Sequence, residues 1–122
     1  IGPGTGIAPF RAFIQERIQS GTTATNLLYF GCRNKDIDFL YKDEFEALAA
    51  QEKINLRTAF SRDQKQKIYV QHRILEDAAL LWELLEVNIS SLSLSFALLI
   101  IFSLKKKQKG AHVYVCGDAT RM

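Results

Sequence analysis

Hydrophobic and polar positions along the chain alternate between helical and strand-like patterns. From Pro9 to Ser20, apolar Phe10, Phe13, Ile14 and Ile18 recur at helical spacing, and Pro9 suits a first turn, where its missing N–H is not needed. A polar turn, Gly21 to Thr25, leads into NLLYFGC, Asn26 to Cys32, a continuous apolar run that predicts a strand covered on both faces. YKDEFEALAAQE, Tyr41 to Glu52, predicts a second helix, acidic near its start, with Phe45 and Leu48 on one side. INLRTAFS, Ile54 to Ser61, predicts a second strand. Tyr69 to Glu86 then reads as a helix in two pieces, with Leu80, Leu81, Leu84 and Leu85 on a wide apolar face and Trp82 near its edge. A third strand is expected over AHVYVCG, Ala111 to Gly117. Strands separated by helices of this length imply parallel pairing through right-handed crossovers, so the expected fold class is α/β with a doubly wound parallel sheet.

Ligands of such sheets bind beyond the carboxyl ends of the strands, which singles out GPGTG, GCR, FSRDQKQKIY and CGD. In the opening turn, Gly2, Gly4 and Gly6 let backbone N–H groups approach an anion closely, and the helix behind them adds its positive end. The common G-x-G-x-x-G fingerprint is absent, because Ile7 or Pro9 stands where its third glycine belongs, and a plain tight turn fits the same glycines. A P-loop is excluded, since no Lys-Ser/Thr pair follows them. The loop after the second strand is more informative. Ser61, Arg62, Lys65, Lys67 and Tyr69 fall within one short stretch, and a hydroxyl, a forked guanidinium, an ammonium and a phenol together suit a phosphomonoester. The plainer reading is a solvated basic loop. At the end of the first strand stand Cys32 and Arg33 rather than the acidic residue that would accept from a free ribose hydroxyl, which favours NADP over NAD.

Composition narrows the class further. The chain has 122 residues, 48% hydrophobic and 24% charged, an ordinary balance for one domain with a core. Its net charge of +3 comes largely from the run Lys105 to Lys109, a poor argument for nucleic acid. Cys32 and Cys116 lie far apart without metal-ligand spacing, so no zinc site is expected and the setting expected is reducing and intracellular. There is no signal-peptide pattern. With no initiator Met, and with a stop just past the third strand, both ends are expected to be cut and the strand feeding the glycine turn to lie upstream.

GPGTGIAPFRAFIQER, LLYFGCR, AFSRDQKQKIYVQH and GAHVYVCGDA resemble, in order and nearly in spacing, the NADPH-binding module of the diflavin reductases, whose fold is that of ferredoxin–NADP reductase. The resemblance covers Ile1 to about Glu86 and again Lys109 to Met122. YVQHRILEDAALLWELLE is most similar to the diflavin oxidoreductase branch, while GAHVYVCGDA is shared with the cytochrome reductase branch. The resemblance implies a partial NADP-binding domain over residues 1–122, truncated at both ends. It places Gly4, Thr5 and Gly6 at the pyrophosphate and nicotinamide side, Cys32 and Arg33 beside the adenosine half, and Ser61, Arg62, Lys67, Tyr69 and Gln71 around the 2′-phosphate. Cys116 would be the thiol held close to the nicotinamide during hydride transfer, positional and electrostatic rather than nucleophilic; without the resemblance it reads as a buried strand cysteine. Lys65 has no counterpart, Asp118 suits either the turn or the cofactor, and His72 and His112 read as helix and strand residues rather than bases. The implied cofactors are NADP and, in the full-length protein, FAD and FMN. The implied partners are the FAD and FMN domains of the parent chain and a haemoprotein or iron–sulfur acceptor. The implied location is the cytoplasm or the cytoplasmic face of the endoplasmic reticulum.

Between WELLE and KGAHVYVCGDA the family needs only a very short connection, yet VNISSLSLSFALLIIFSLKKKQ, Val87 to Gln108, stands there. Its apolar part, Ile89 to Leu104, falls short of the roughly 18 apolar residues of a membrane span. A core strand or helix is one reading, and a membrane-associated, non-catalytic or defective remnant of a reductase is another. The preferred reading is a retained intron or a misplaced gene boundary. Val codons begin with the donor dinucleotide, the Ser/Leu/Phe/Ile run suits a pyrimidine-rich tract, and Lys-Lys-Lys-Gln can end in the acceptor dinucleotide. Sequencing transcripts across these codons is expected to recover messages that lack the segment; abundant message carrying it in frame would overturn that reading.

Overall fold

A computed structural model describes residues 1–85 and 111–117. Its elements are a 3-10 turn, Gly4–Ile7, then α1 (Ala8–Gln19), β1 (Leu27–Cys32), α2 (Lys35–Asp38), α3 (Lys42–Ala50), β2 (Asn55–Phe60), α4 (Val70–Glu76) and α5 (Ala78–Leu85). The chain divides into two units, one of residues 1–76 and 115–122, the other of residues 77–114. The expected insertion at 87–108, with its apolar stretch 89–104, lies outside the described residues, as does Asp118. Among the described residues, no helix is long and apolar enough to cross a membrane.

In the first unit β1 and β2 pair in parallel, from Leu27 opposite Asn55 to Cys32 opposite Phe60. Side chains alternate across a strand, and the apolar run of β1 is sealed on both faces. Leu28 and Phe30 point into a core with Phe10 and Ile14 of α1, Phe45 of α3, Ile7, Phe39 and Ile54. On the opposite face α4 lies so close that a methyl group added at Gly31 would stand 2.5 Å from Val70 Cγ2. Phe39 stacks on Phe30 at 4.7 Å between centroids and leans on Phe60 at 5.8 Å, which binds the segment between α2 and α3 to both strands. Across the surface, Glu44 of α3 takes hydrogen bonds from Arg11 Nε at 2.6 Å and Gln15 Nε2 at 2.8 Å, both on α1. The Arg11 guanidinium also lies 4.8 Å over the Tyr41 ring.

Two further backbone bonds extend the order of the sheet. Gly2 N–H donates to Tyr29 O at 2.9 Å, and Cys116 N–H donates to Ile1 O at 3.0 Å. Residues 1–2 therefore lie between β1 and Cys116, giving the spatial sequence β2, β1, residues 1–2, Cys116. From residues 1–2 the chain winds to one side through β1 and β2, and Cys116 lies on the other. A doubly wound α/β fold reverses its strand order at such a place, and there its sheets open a crevice for ligands.

One expected element is corrected. Residues 111–117 are not a strand: a ladder needs a run of consecutive partners, and this segment takes no strand conformation although Cys116 N–H bonds Ile1 O. In the second unit α5 exposes Leu80 and Trp82, and Leu81 N–H bonds Asp77 O at 2.9 Å.

Phe30 is fully buried between α1, α3 and Phe39, so Phe30→Ala removes a large side chain that its neighbours cannot replace. A loss of about 3–5 kcal/mol is expected, read as a lower urea midpoint at unchanged slope.

Candidate nucleotide-binding site

Parallel pairing brings the loops after β1 and β2 out at the same edge of the sheet. Ser61 N–H donates to Cys32 O at 3.0 Å and Arg62 N–H to Arg33 O at 2.8 Å, so the ladder runs past the strand ends and holds the two loops side by side. Side chains fasten them further. Asp63 accepts from Asn34 Nδ2 at 3.0 Å and from Lys35 N–H at 3.1 Å, while Asp38 accepts from Asn34 N–H at 3.2 Å and Arg33 Nη2 at 3.0 Å. The Arg33 hydrogen bond holds the Asp38 carboxyl below its ordinary range, and Asp38 in turn holds the proton on Arg33 more firmly. The loop's acid and the neighbouring acid are thus committed to scaffolding. Gln64 Nε2 closes the loop from inside by donating to Gln66 O at 2.8 Å.

Expected site residues fall into two groups. Cys32, Arg33, Ser61 and Arg62 are brought together at this edge, with Lys67, Tyr69 and Gln71 following along the chain into α4. Arg62, Lys65 and Lys67 are exposed and have no ion-pair partner among the described residues. Arg33, by contrast, is already engaged by Asp38. The backbone of Tyr69 is pinned to α4: its N–H donates to His72 Nδ1 at 2.9 Å, and its carbonyl accepts from His72 N–H at 3.0 Å.

The second group is the glycine turn with Cys116. Gly4 has φ +57°, the left-handed region that glycine occupies without strain, and open space surrounds the place where a Cβ would be. At Gly6 the constraint is reversed: a methyl group there would stand 2.1 Å from the Cys116 carbonyl oxygen. Only a residue without a side chain lets the turn lie against the Cys116–Gly117 backbone. Pro3 joins the two groups, since added methyls would lie 2.9 Å from its Cγ at Gly117 and 3.9 Å from its Cβ at Gly31. Thr5 and Cys116 are exposed beside this junction, so Cys116 is not the buried strand cysteine that the plain reading implies.

Reading the loops for cations passed over Asp38 and Asp63. The signal that could have found them is Asn34 heading a short NKDID stretch, since Asn before a helical turn leaves orphan N–H groups that call for nearby acceptors. Elsewhere in this unit, a polar depression of about 430 Å³ lined by Thr22, Thr25, Asn26, Lys53 and Asn55 sits at the amino ends of the strands, opposite to these loops.

Comparison with known proteins gives the same direction. The family model described as oxidoreductase NAD-binding domain matches residues 1–122. The NADPH–cytochrome P450 reductase of Musca domestica is 44% identical over 126 residues, covering 100% of this chain and 16% of that protein. The NADPH-dependent diflavin oxidoreductase 1 of Bos taurus is 45% identical, covering 100% of this chain and 17% of the relative. The NADPH sulfite reductase flavoprotein alpha-component of Aliivibrio fischeri is 47% identical, with 100% and 17% covered. The chain spans 16 to 17% of the length of these curated relatives.

Burial, with help from the Asp38 and Asp63 carboxylates, pushes the Cys32 thiol up to about 11 from an ordinary value of 9.0. Cys32 is expected to resist alkylation near pH 8 while exposed Cys116 reacts, and its rate should climb until about pH 11. Because the folded value is the higher one, the stability it contributes is complete below about pH 9 and is lost as pH rises through about 11; mass spectrometry of alkylated peptides and melting curves across that window check both statements.

Proposed function

The chain belongs to the oxidoreductase NAD-binding domain family, and from that premise we propose that it is the NADPH-binding part of a diflavin reductase. The observation that carries this reading is the edge where β1 and β2 end together, with Ser61 and Arg62 tied by their backbones to Cys32 and Arg33 and the exposed Arg62 guanidinium without a salt bridge among the described residues. Similarity over the whole chain to reductases named for NADPH supports it.

The residues present fit the coenzyme. Open space at Gly4, just ahead of α1, suits a pyrophosphate, while Gly6 lets the turn lie against the Cys116–Gly117 backbone. In this reading the Ser61 hydroxyl, the Arg62 guanidinium, the Lys67 ammonium, the Tyr69 phenol and the Gln71 amide hold the 2′-phosphate, with Arg62 offering a two-point fork. Arg33, drawn aside by Asp38, borders the adenosine half rather than competing for the phosphate. In this reading Gly4, Thr5 and Gly6 orient the nicotinamide side, and exposed Cys116, whose backbone lies against Gly6, borders it. When bound, NADPH supplies a hydride, which the FAD of the parent protein accepts. The protein passes electrons on through FMN to a haemoprotein or iron–sulfur acceptor, and it works in the cytoplasm or at the cytoplasmic face of the endoplasmic reticulum. Two free cysteines fit such a reducing setting.

Arg62→Ala in the full-length protein is expected to lower kcat/KM for NADPH by about tenfold or more, with that for NADH nearly unchanged, since a charge-assisted bond contributes about 1.5–3 kcal/mol. Steady-state kinetics with both coenzymes check this, and equal losses for the two would count against the 2′-phosphate assignment.

A further inference from the structure

We infer that His72 is a positioning residue for coenzyme selectivity: its ring holds Tyr69 in place at the mouth of the loop after β2. This inference rests on the proposed 2′-phosphate site and adds to it a residue that itself touches no phosphate.

The geometry is specific. Tyr69 is the residue before the first turn of α4, and His72 is the third residue of that helix. The first N–H groups of a helix lack internal partners, and a side chain three residues on often reaches back to accept from the capping N–H. Glu or Gln ordinarily fills that role, and here it falls to an imidazole. A backbone N–H can only donate, so His72 Nδ1, 2.9 Å from Tyr69 N, accepts and carries no proton, which puts the hydrogen of the neutral ring on Nε2. The return bond from His72 N–H to Tyr69 O, at 3.0 Å, closes a ring of two bonds around one residue. The imidazole also flanks the phenol itself, with centroids 5.9 Å apart and planes inclined by 31°.

Tyr69 has few other restraints. It is 38% exposed, and its hydroxyl has no hydrogen-bond partner among the described residues. The residues before it, from Arg62 to Lys67, are all exposed, whereas α4 after it is anchored by buried Val70 and by Arg73 Nε donating to Thr58 O at 3.0 Å. His72 is therefore what transmits the order of α4 to the last aromatic residue of the loop. A phenol held in this way meets an anion without first losing rotamer freedom, which is how preorganisation adds to affinity.

The test uses the full-length protein and two probes, 2′,5′-ADP and 5′-AMP, titrated calorimetrically against wild type, His72→Ala, His72→Asn and Arg62→Ala. Asn offers an acceptor oxygen close to the place of Nδ1. His72→Ala is expected to weaken 2′,5′-ADP about three- to tenfold, the range for one ordinary hydrogen bond, with 5′-AMP changed by less than about twofold. His72→Asn should return 2′,5′-ADP to within about twofold of wild type. The inference is overturned if His72→Ala leaves 2′,5′-ADP unaffected, if it weakens both probes alike, or if Asn restores nothing. Failure of the underlying site looks different: wild type would then bind both probes equally, or Arg62→Ala would leave their ratio untouched.

Discussion

Everything at the proposed site depends on two strands that run the same way and stop at the same level. Because Cys32 lies opposite Phe60, the chain leaves β1 and β2 together, and the ladder continues past both ends through Ser61 to Cys32 and Arg62 to Arg33. An antiparallel pair would send the two loops to opposite ends of the sheet. Parallel pairing in turn requires the crossover over α2 and α3, and that crossover is held down by Phe39 and Phe45 in the core. The path from core packing to the proposed phosphate site is therefore short: two phenylalanines fix the crossover, the crossover fixes the register, and the register sets Arg62 beside Arg33.

Much of this was legible in the residues. Apolar spacing located α1 to within a residue at each end, and the continuous run NLLYFGC foretold a strand covered on both faces, as Leu28 and Phe30 on one side and Gly31 against Val70 on the other bear out. Helix and strand alternation foretold parallel pairing, and the break between α4 and α5 was expected as a helix in two pieces. AHVYVCG did not form the strand its β-branched and aromatic residues suggest, because strand identity belongs to a pair and no neighbouring strand forms a ladder with it among the described residues. Asp38 and Asp63 were illegible for a related reason. Whether an acid in a basic loop faces outward or bonds backbone N–H groups depends on which second loop lies beside it, and sequence spacing carries no record of that neighbour.

The two glycine constraints differ in kind. Gly4 is required by its own backbone angle, which any reading of a tight turn anticipates, while Gly6 is required by a chain segment more than a hundred residues away. The second requirement ties the turn to Cys116 through the backbone. It makes the glycine turn part of the sheet's switch point rather than an independent ligand loop, and it is why the order β2, β1, residues 1–2, Cys116 matters more to the proposed chemistry than the missing third strand.

Asp63 turns both carboxylate oxygens inward, onto Asn34 and Lys35. A lone acid among cations would otherwise present a negative spot to an approaching polyanion. With its oxygens engaged by the neighbouring loop, Asp63 stands beside the exposed Arg62, Lys65 and Lys67, and the field of such cations acts before any contact is made. It raises the frequency of productive encounters and falls off within about 10 Å at 0.1 M salt. At the proposed site, the same hydrogen bonds that stitch two loops together would thus also bear on how fast a highly charged coenzyme arrives.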